Sequence, residues 1–376
     1  SYPRDNIMNG KKIAIIGGGL SGLYAAYLLE KKGITDYVLL EARDALGGRI
    51  MDFTAQSEQQ LQHFDLGPTW FWPEFQPQLE SLIAHLGLQT FAQYEDGNMV
   101  VERNPNEVPI LMKGFTSAPA SMRIKGGMGQ LIRTLSAHLT NQHIQLSAEV
   151  KSIHIENNEI AIAYQDNQQN ALQTVIVEHI FLAMPPRLAV KNLQFIPALP
   201  KQVFEQWQNT ATWMAAHAKY VAVYDAPFWR EQGLSGDARS ALGPMVEIHD
   251  ASSEQGGGAL FGFLGVPAAN RKTISTEEMK MYCRAQMGRL FGPKAATPVT
   301  DTIKDWVQDP LTATKRDLEM VSEHGHTPQR TIKTGPWQGV LVGIGSEWST
   351  SFPGYVAGAV ESATDGVNAY LSLLTK

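Results

Sequence analysis

The stretch KKIAIIGGGLSGLYAAYLLEKKGITDYVLLE, residues 11–41, limits the fold more than any other part of the chain. Ile13 to Ile16 is a short β-branched run and reads as a strand, Leu20 to Lys31 has helical periodicity, and Tyr37 to Glu41 reads as a second strand. Gly17, Gly19 and Gly22 stand between strand and helix in the order G-x-G-x-x-G. They permit a tight turn, close approach of backbone to a pyrophosphate and close packing of helix on sheet, with the helix N-terminus facing the phosphates. Glu41 ends the second strand, where a carboxylate accepts hydrogen bonds from a ribose diol and repels a 2′-phosphate. An NADP site is therefore not expected. The fold class that follows is α/β (α+β mixed), with a Rossmann-like dinucleotide-binding domain. Gly47, Gly48 and Arg49 come next in ARDALGGRI. Alone they are a loop with a solvated arginine; placed just after the ribose acid, the glycines admit the backbone and Arg49 supplies a charge-assisted phosphate contact.

With 376 residues, the chain is long enough for two domains. A net charge of -6 offers no general attraction to nucleic acid or to an anionic membrane. The single cysteine, Cys283, excludes an internal disulfide and fits a reducing compartment. SYPRDNIMNGKK has no apolar h-region, residues before Met8 are set aside as a tag remnant, and no apolar run approaches the ~18 residues of a membrane span. The expectation is a soluble, cytoplasmic protein without membrane or nucleic-acid partners. The ten histidines show no metal spacing such as H-E-x-x-H, so no metal site is expected.

Further along, HFDLGPTWFWPEF reads as an aromatic, proline-containing loop, and QPQLESLIAHLGL as an amphipathic helix stopped by Gly87. KGGMGQLIRTLSAHL is a glycine turn feeding a helix, and residues 144–184 read as a meander of short strands that Pro185 and Pro186 end. A helix from Thr276 to Phe291 is capped by Gly292, and the chain closes with a strand, a loop and a long helix. Within AHAKYVAVYDAPFWR the alternation predicts a half-buried strand, with Tyr220, Ala222 and Tyr224 on one face and Lys219, Val221 and Val223 on the other. A lysine on an apolar face must snorkel or find partners.

The Gly-rich turn, LEARDALGGR, FDLGPTWF, KGGMGQLI, FLAMPPRLA, AKYVAVYDAPFWR, the tryptophan of KDWVQDP and GIGSEWSTSFPGYVAGAVES stand in family order at near-family spacing. Through them the chain resembles the flavin-containing amine oxidases, the family of monoamine, polyamine and L-amino acid oxidases. The resemblance implies FAD in a discontinuous FAD-binding domain (1–75, 123–186 and 331–376), and a substrate domain of mixed sheet and helices inserted into it (76–122, shortened, and 187–330). It places Leu20 and Ser21 at the pyrophosphate turn, Glu41 with Ala42 on the adenosine ribose, and Arg43 and Arg49 near ribose and phosphates. Val150 takes the position whose backbone meets the adenine edge. Gly67, Thr69 and Trp70 fall in the loop along the flavin, Gly345, Ser346 and Glu347 in the glycine-small-glutamate turn, and Val356 at the helix start facing the flavin C2 carbonyl. A helix N-terminus there stabilises negative charge near N1 and O2. Lys219 matches the lysine that reaches flavin N5 through a water, Trp306 the tryptophan beside the flavin ring, and Tyr355 one wall of an aromatic cage for the amine.

Two departures accompany the resemblance. Lys315 and Arg316 stand where family members with covalent flavin carry a cysteine and the second cage aromatic, which implies noncovalent FAD and a missing wall. The chain is also short between VPILMKGF and SMRIKGGMGQ, where many members roof the substrate cavity with a helical stretch. The implied reaction is oxidation of an amine C–N bond: hydride to flavin N5, imine release, and reoxidation by dioxygen to hydrogen peroxide. Rival readings are a flavin desaturase or protoporphyrinogen oxidase-like enzyme, which Lys219 and Tyr355 oppose, and a flavoprotein whose FAD is structural and whose surface binds a partner.

Overall fold

Ile13–Ile16, the helix Leu20–Lys31 and Tyr37–Leu40 form the expected βαβ unit, with Glu41 just past the end of the second strand. The computed structural model describes residues 7–8, 10–57, 59–318 and 327–375; the residues set aside before Met8, apart from Ile7, lie outside these, as do residues 319–326 of the expected 187–330 segment. By packing, the chain divides into two compact units, one of 1–49, 131–213 and 310–376, the other of 50–130 and 214–309.

In the first unit, five parallel strands stand in the order Ile144–Gln145, Tyr37–Leu40, Ile13–Ile16, His179–Leu182, Leu341–Gly343. The short apolar runs are buried on both faces, which is why they lack alternation. The expected meander is split: its first and last strands belong to this parallel sheet, while Ala148–Glu156, Glu159–Asp166 and Ala171–Val177 pair antiparallel in a second sheet. Asn157 and Asn158 both adopt positive φ, the two-residue hairpin turn that asparagine tolerates.

The second unit is built on a seven-stranded sheet ordered Thr300–Asp305, Ala218–Tyr224, Gly258–Leu264, Met245–Asp250, Leu234–Ser240, Asn98–Glu102, Ile110–Met112. The strand that carries Lys219 corrects its expectation, because all seven residues of Ala218–Tyr224 are buried. Ala218, Tyr220, Ala222 and Tyr224 enter one core with the helix Thr276–Phe291, and Val221 and Val223 enter another with Ala55, Phe64, Leu66 and Phe261. The strand is sandwiched, so a lysine on it cannot snorkel. The aromatic loop is likewise shorter than expected, since His63 to Asp65 belong to the strand Gln60–Asp65, which pairs with Asp52–Ser57.

The unit boundaries differ from those expected. Residues 50–75 go with the second unit because Ala55, Phe64 and Leu66 pack on Val221 and Val223, and Ser57 donates to the Tyr224 carbonyl. Residues 187–213 go with the first, because Ala189, Leu193, Val203 and Trp207 fill the core over its sheets.

Candidate functional site

In the first unit, the turn after Ile16 is shaped by contacts that only glycine permits. A Cβ on Gly22 would collide with the Gly17 carbonyl oxygen, so helix and turn meet backbone to backbone. Gly19 bridges Gly47, and a Cβ on it would meet nothing closer than 3.8 Å, leaving a bare strip of main chain at the helix N-terminus where Leu20 and Ser21 begin. First-turn N–H groups have no partner within their helix and suit an anion.

Glu41 lines the same turn. Its carboxylate accepts hydrogen bonds from the N–H of Gly18 (2.8 Å) and of Arg43 (2.7 Å). Burial nevertheless raises its pKa, the backbone donors only partly opposing this. Ala148, at the start of the strand that buries Val150, donates to the Glu41 carbonyl, and the Arg43 guanidinium donates to Thr312.

Arg49 is already paired. Its guanidinium donates to both carboxylate oxygens of Glu347 (2.6 and 3.0 Å) and to the Ser346 hydroxyl. Burial raises the Glu347 pKa, but Arg49 and the Trp213 N–H outweigh it and hold the carboxyl below its ordinary value. The arginine expected at the phosphates thus locks the 345–347 turn, whose first residue, Gly345, caps the short helix Ser346–Trp348. Val356 opens the closing helix, as expected, and Tyr355 caps it. Tyr355 is 40% exposed, and its ring stacks on Trp213 at 5.4 Å with the two planes 29° apart. Gly354 makes room for that indole, since a Cβ there would touch its ring atoms. Trp213 had no signal in the sequence beyond its being aromatic. Lys315 and Arg316 lie exposed on a short helical turn.

In the second unit, Lys219 is 1% exposed. Its ammonium donates to the Gly67 carbonyl (3.0 Å) and the Thr69 hydroxyl (2.9 Å), and stands 4.0 Å over the ring of Phe261. Those are its partners within the chain, and two lie in the loop that FDLGPTWF was expected to form. Burial lowers the lysine pKa, with Asp65 opposing. Trp306, fully buried, donates from Nε1 to the Leu66 carbonyl, so the same loop seats both residues. Half-buried Trp70 donates to Gln93 and packs edge-on to His249. Phe261 faces the ammonium, and the charges of Asp65 and Arg123 act on it from further off. They were not singled out in the sequence, because they are brought together only by strand pairing and loop closure.

Residues 108–369 match the profile of the flavin containing amine oxidoreductases, and residues 15–86 that of an NAD(P)-binding Rossmann-like domain. The chain belongs to the flavin-containing amine oxidoreductase family. Among curated relatives of this family, the "Probable flavin-containing monoamine oxidase A" of Dictyostelium discoideum is 24% identical over 93% of this chain and 95% of its own length. A putrescine oxidase solved with putrescine bound superposes with a TM-score of 0.78 at 22% identity, over 98% of this chain and 100% of the other. The cyclohexylamine oxidase of Brevibacterium oxydans IH-35A gives 0.77 at 18% identity, over 98% and 100%. These two establish the shared fold. The family carries FAD, and the bare main-chain strip at Gly19 with Glu41 beside it fits the diphosphate and ribose of that cofactor.

Proposed function

We propose that this FAD-dependent oxidoreductase takes a hydride from the carbon beside the nitrogen of a small-molecule amine, so that C–N becomes C=N, and passes the two electrons to dioxygen, giving hydrogen peroxide and an imine that water hydrolyses to a carbonyl. The observation that carries the reading is Lys219: a cation buried on both sides of a sandwiched strand and fixed by Gly67 and Thr69 is retained at a desolvation cost that packing alone does not repay. FAD, when bound, supplies the hydride acceptor. The chain's own residues do the rest. The first unit is assigned to FAD binding: Gly17, Gly19, Leu20, Ser21, Gly22 and Gly48 cradle the diphosphate, Glu41, Ala42 and Arg43 the ribose, and Val150 the adenine edge. Arg49 with Gly345, Ser346 and Glu347 secures the closing turn, and the helix start at Val356 favours negative charge. The second unit is assigned to substrate binding, with Gly67, Thr69 and Trp70 along the cofactor, Trp306 as packing, and Lys219 holding a water and its proton. Tyr355 offers a π face to the amine. FAD is noncovalent in this reading, which exposed Lys315 supports.

Incubating the aerobic protein with monoamines, polyamines and amino acids should give one peroxide per carbonyl formed for at least one class. No peroxide from any amine would overturn the oxygen assignment. Denaturing and filtering should release all yellow colour into the filtrate; colour kept with the polypeptide would contradict a noncovalent cofactor.

A further inference from the structure

Lys219 is held by a loop, and that loop is itself pinned by a buried acid. Asp65 ends the strand Gln60–Asp65 and is 8% exposed. Its Oδ1 accepts a hydrogen bond from the Met128 N–H at 2.8 Å, at the glycine turn that feeds the helix Gly129–Ala137. The fit is close, since a Cβ on Gly127 would approach the same oxygen to 3.3 Å. The next residues all serve the site: the Leu66 carbonyl accepts from Trp306, and the Gly67 carbonyl and Thr69 hydroxyl accept from Lys219.

The charges around the lysine point the same way. Gly67, Thr69 and the Phe261 face are neutral, so they orient the ammonium without neutralising it. Arg123, also buried, spends its guanidinium on the Ala251 and Ser252 carbonyls and adds a second positive charge. Asp65 is the acid that both cations feel, and it stands also in the field of Asp52. We propose that Asp65 is a positioning residue for Lys219: its hydrogen bond to Met128 fixes the loop that aims Nζ, and its buried carboxylate, which makes no direct ion pair with the ammonium, favours the charged lysine through its field. The inference rests on the reading of Lys219 given above. Burial drives the acid toward its protonated form and the lysine toward its free amine, and each charge opposes the other's loss.

The test uses chemically reduced holoenzyme mixed with oxygen from neutral to alkaline pH, so that no amine need be known. In the wild type the rate at which colour returns should fall as pH rises through the deprotonation of Lys219. Asp65→Asn should move that inflection down by roughly one unit or more, and Lys219→Met should abolish it. A thermal-unfolding cycle gives a second readout independent of turnover. Asp65→Asn should lower the midpoint sharply, and adding Lys219→Met should restore part of the loss, because the orphaned cation is then gone. An unmoved inflection in Asp65→Asn, or additive effects in the cycle, would overturn the proposal. If Asp65→Asn does not fold, recovery of folding in the double variant supports the proposal, and failure of both contradicts it. Should Lys219→Met regain colour like the wild type at every pH, the reading of Lys219 falls, and the unfolding cycle decides the coupling by itself.

Discussion

Arg49, expected to face a phosphate, spends its hydrogen bonds inside the protein, on Glu347 and Ser346. The GGR turn was legible because its three residues are contiguous; the partner, Glu347, lies 298 residues away and no local pattern points to it. Removing the guanidinium strands a carboxylate whose side chain is only 3% exposed. Arg49→Ala should therefore destabilise the chain by about 2–3 kcal/mol even without FAD, somewhat below a fully buried pair because the arginine is partly solvated. The loss should shrink as pH falls through the lowered pKa of Glu347, since the pair stabilises only above it. Chemical denaturation at two pH values checks both statements. Equal stability of variant and wild type near neutrality would show that the pair is energetically idle. Lys219 makes the related point that its strand was legible and its burial was not, because alternation in AKYVAVY cannot reveal a second layer over the valine face.

Among the elements, the ones whose ends are set by local chemistry were readable. Leu20–Lys31 and Thr276–Phe291 match their expected bounds, the latter with Ser275 accepting from the Glu278 N–H at its start and Gly292 at its end. The hairpin of Asp52–Ser57 and Gln60–Asp65 was missed because DFTAQS and QLQHFD carry polar residues on both faces, and its burial comes from distant strands. Helix-to-turn contact in the βαβ unit makes Gly22→Ala severe: the new methyl meets the Gly17 carbonyl, and a loss of about 3 kcal/mol or failure to fold is expected, read by thermal unfolding. A central strand of the parallel sheet adds a pH dependence. His179 is buried beside Phe181 and Tyr370, hydrogen-bonds the Gly339 carbonyl, and burial lowers its pKa to about 4. Because the unfolded chain takes up that proton near the ordinary value, stability should be lost as pH falls from about 6.5 toward 4, by up to about 3 kcal/mol. His179→Phe should flatten that part of the profile; an unchanged slope would show that the imidazole is not the group responsible.

At the scale of the whole molecule, the interleaving of two units was legible from ordered motifs, but their limits were not. Residues 50–75 and 187–213 were each expected in the unit opposite to the one where their apolar side chains are buried, since what decides membership is the core a segment enters. The family and its cofactor follow from landmarks spread over most of the chain. The identity of the amine does not, because the exposed Trp213–Tyr355 pair and the residues at 315 and 316 depart from any simple pattern. The proposed oxidation requires electron transfer from an amine to FAD within this chain. Anaerobic mixing of the yellow holoprotein with a panel of amines, followed in the visible flavin band, observes that transfer itself. At least one amine should bleach the band within the mixing experiment and yield one carbonyl per flavin, whereas a protein that stays yellow with every amine while dithionite still bleaches it would contradict amine oxidation by this chain.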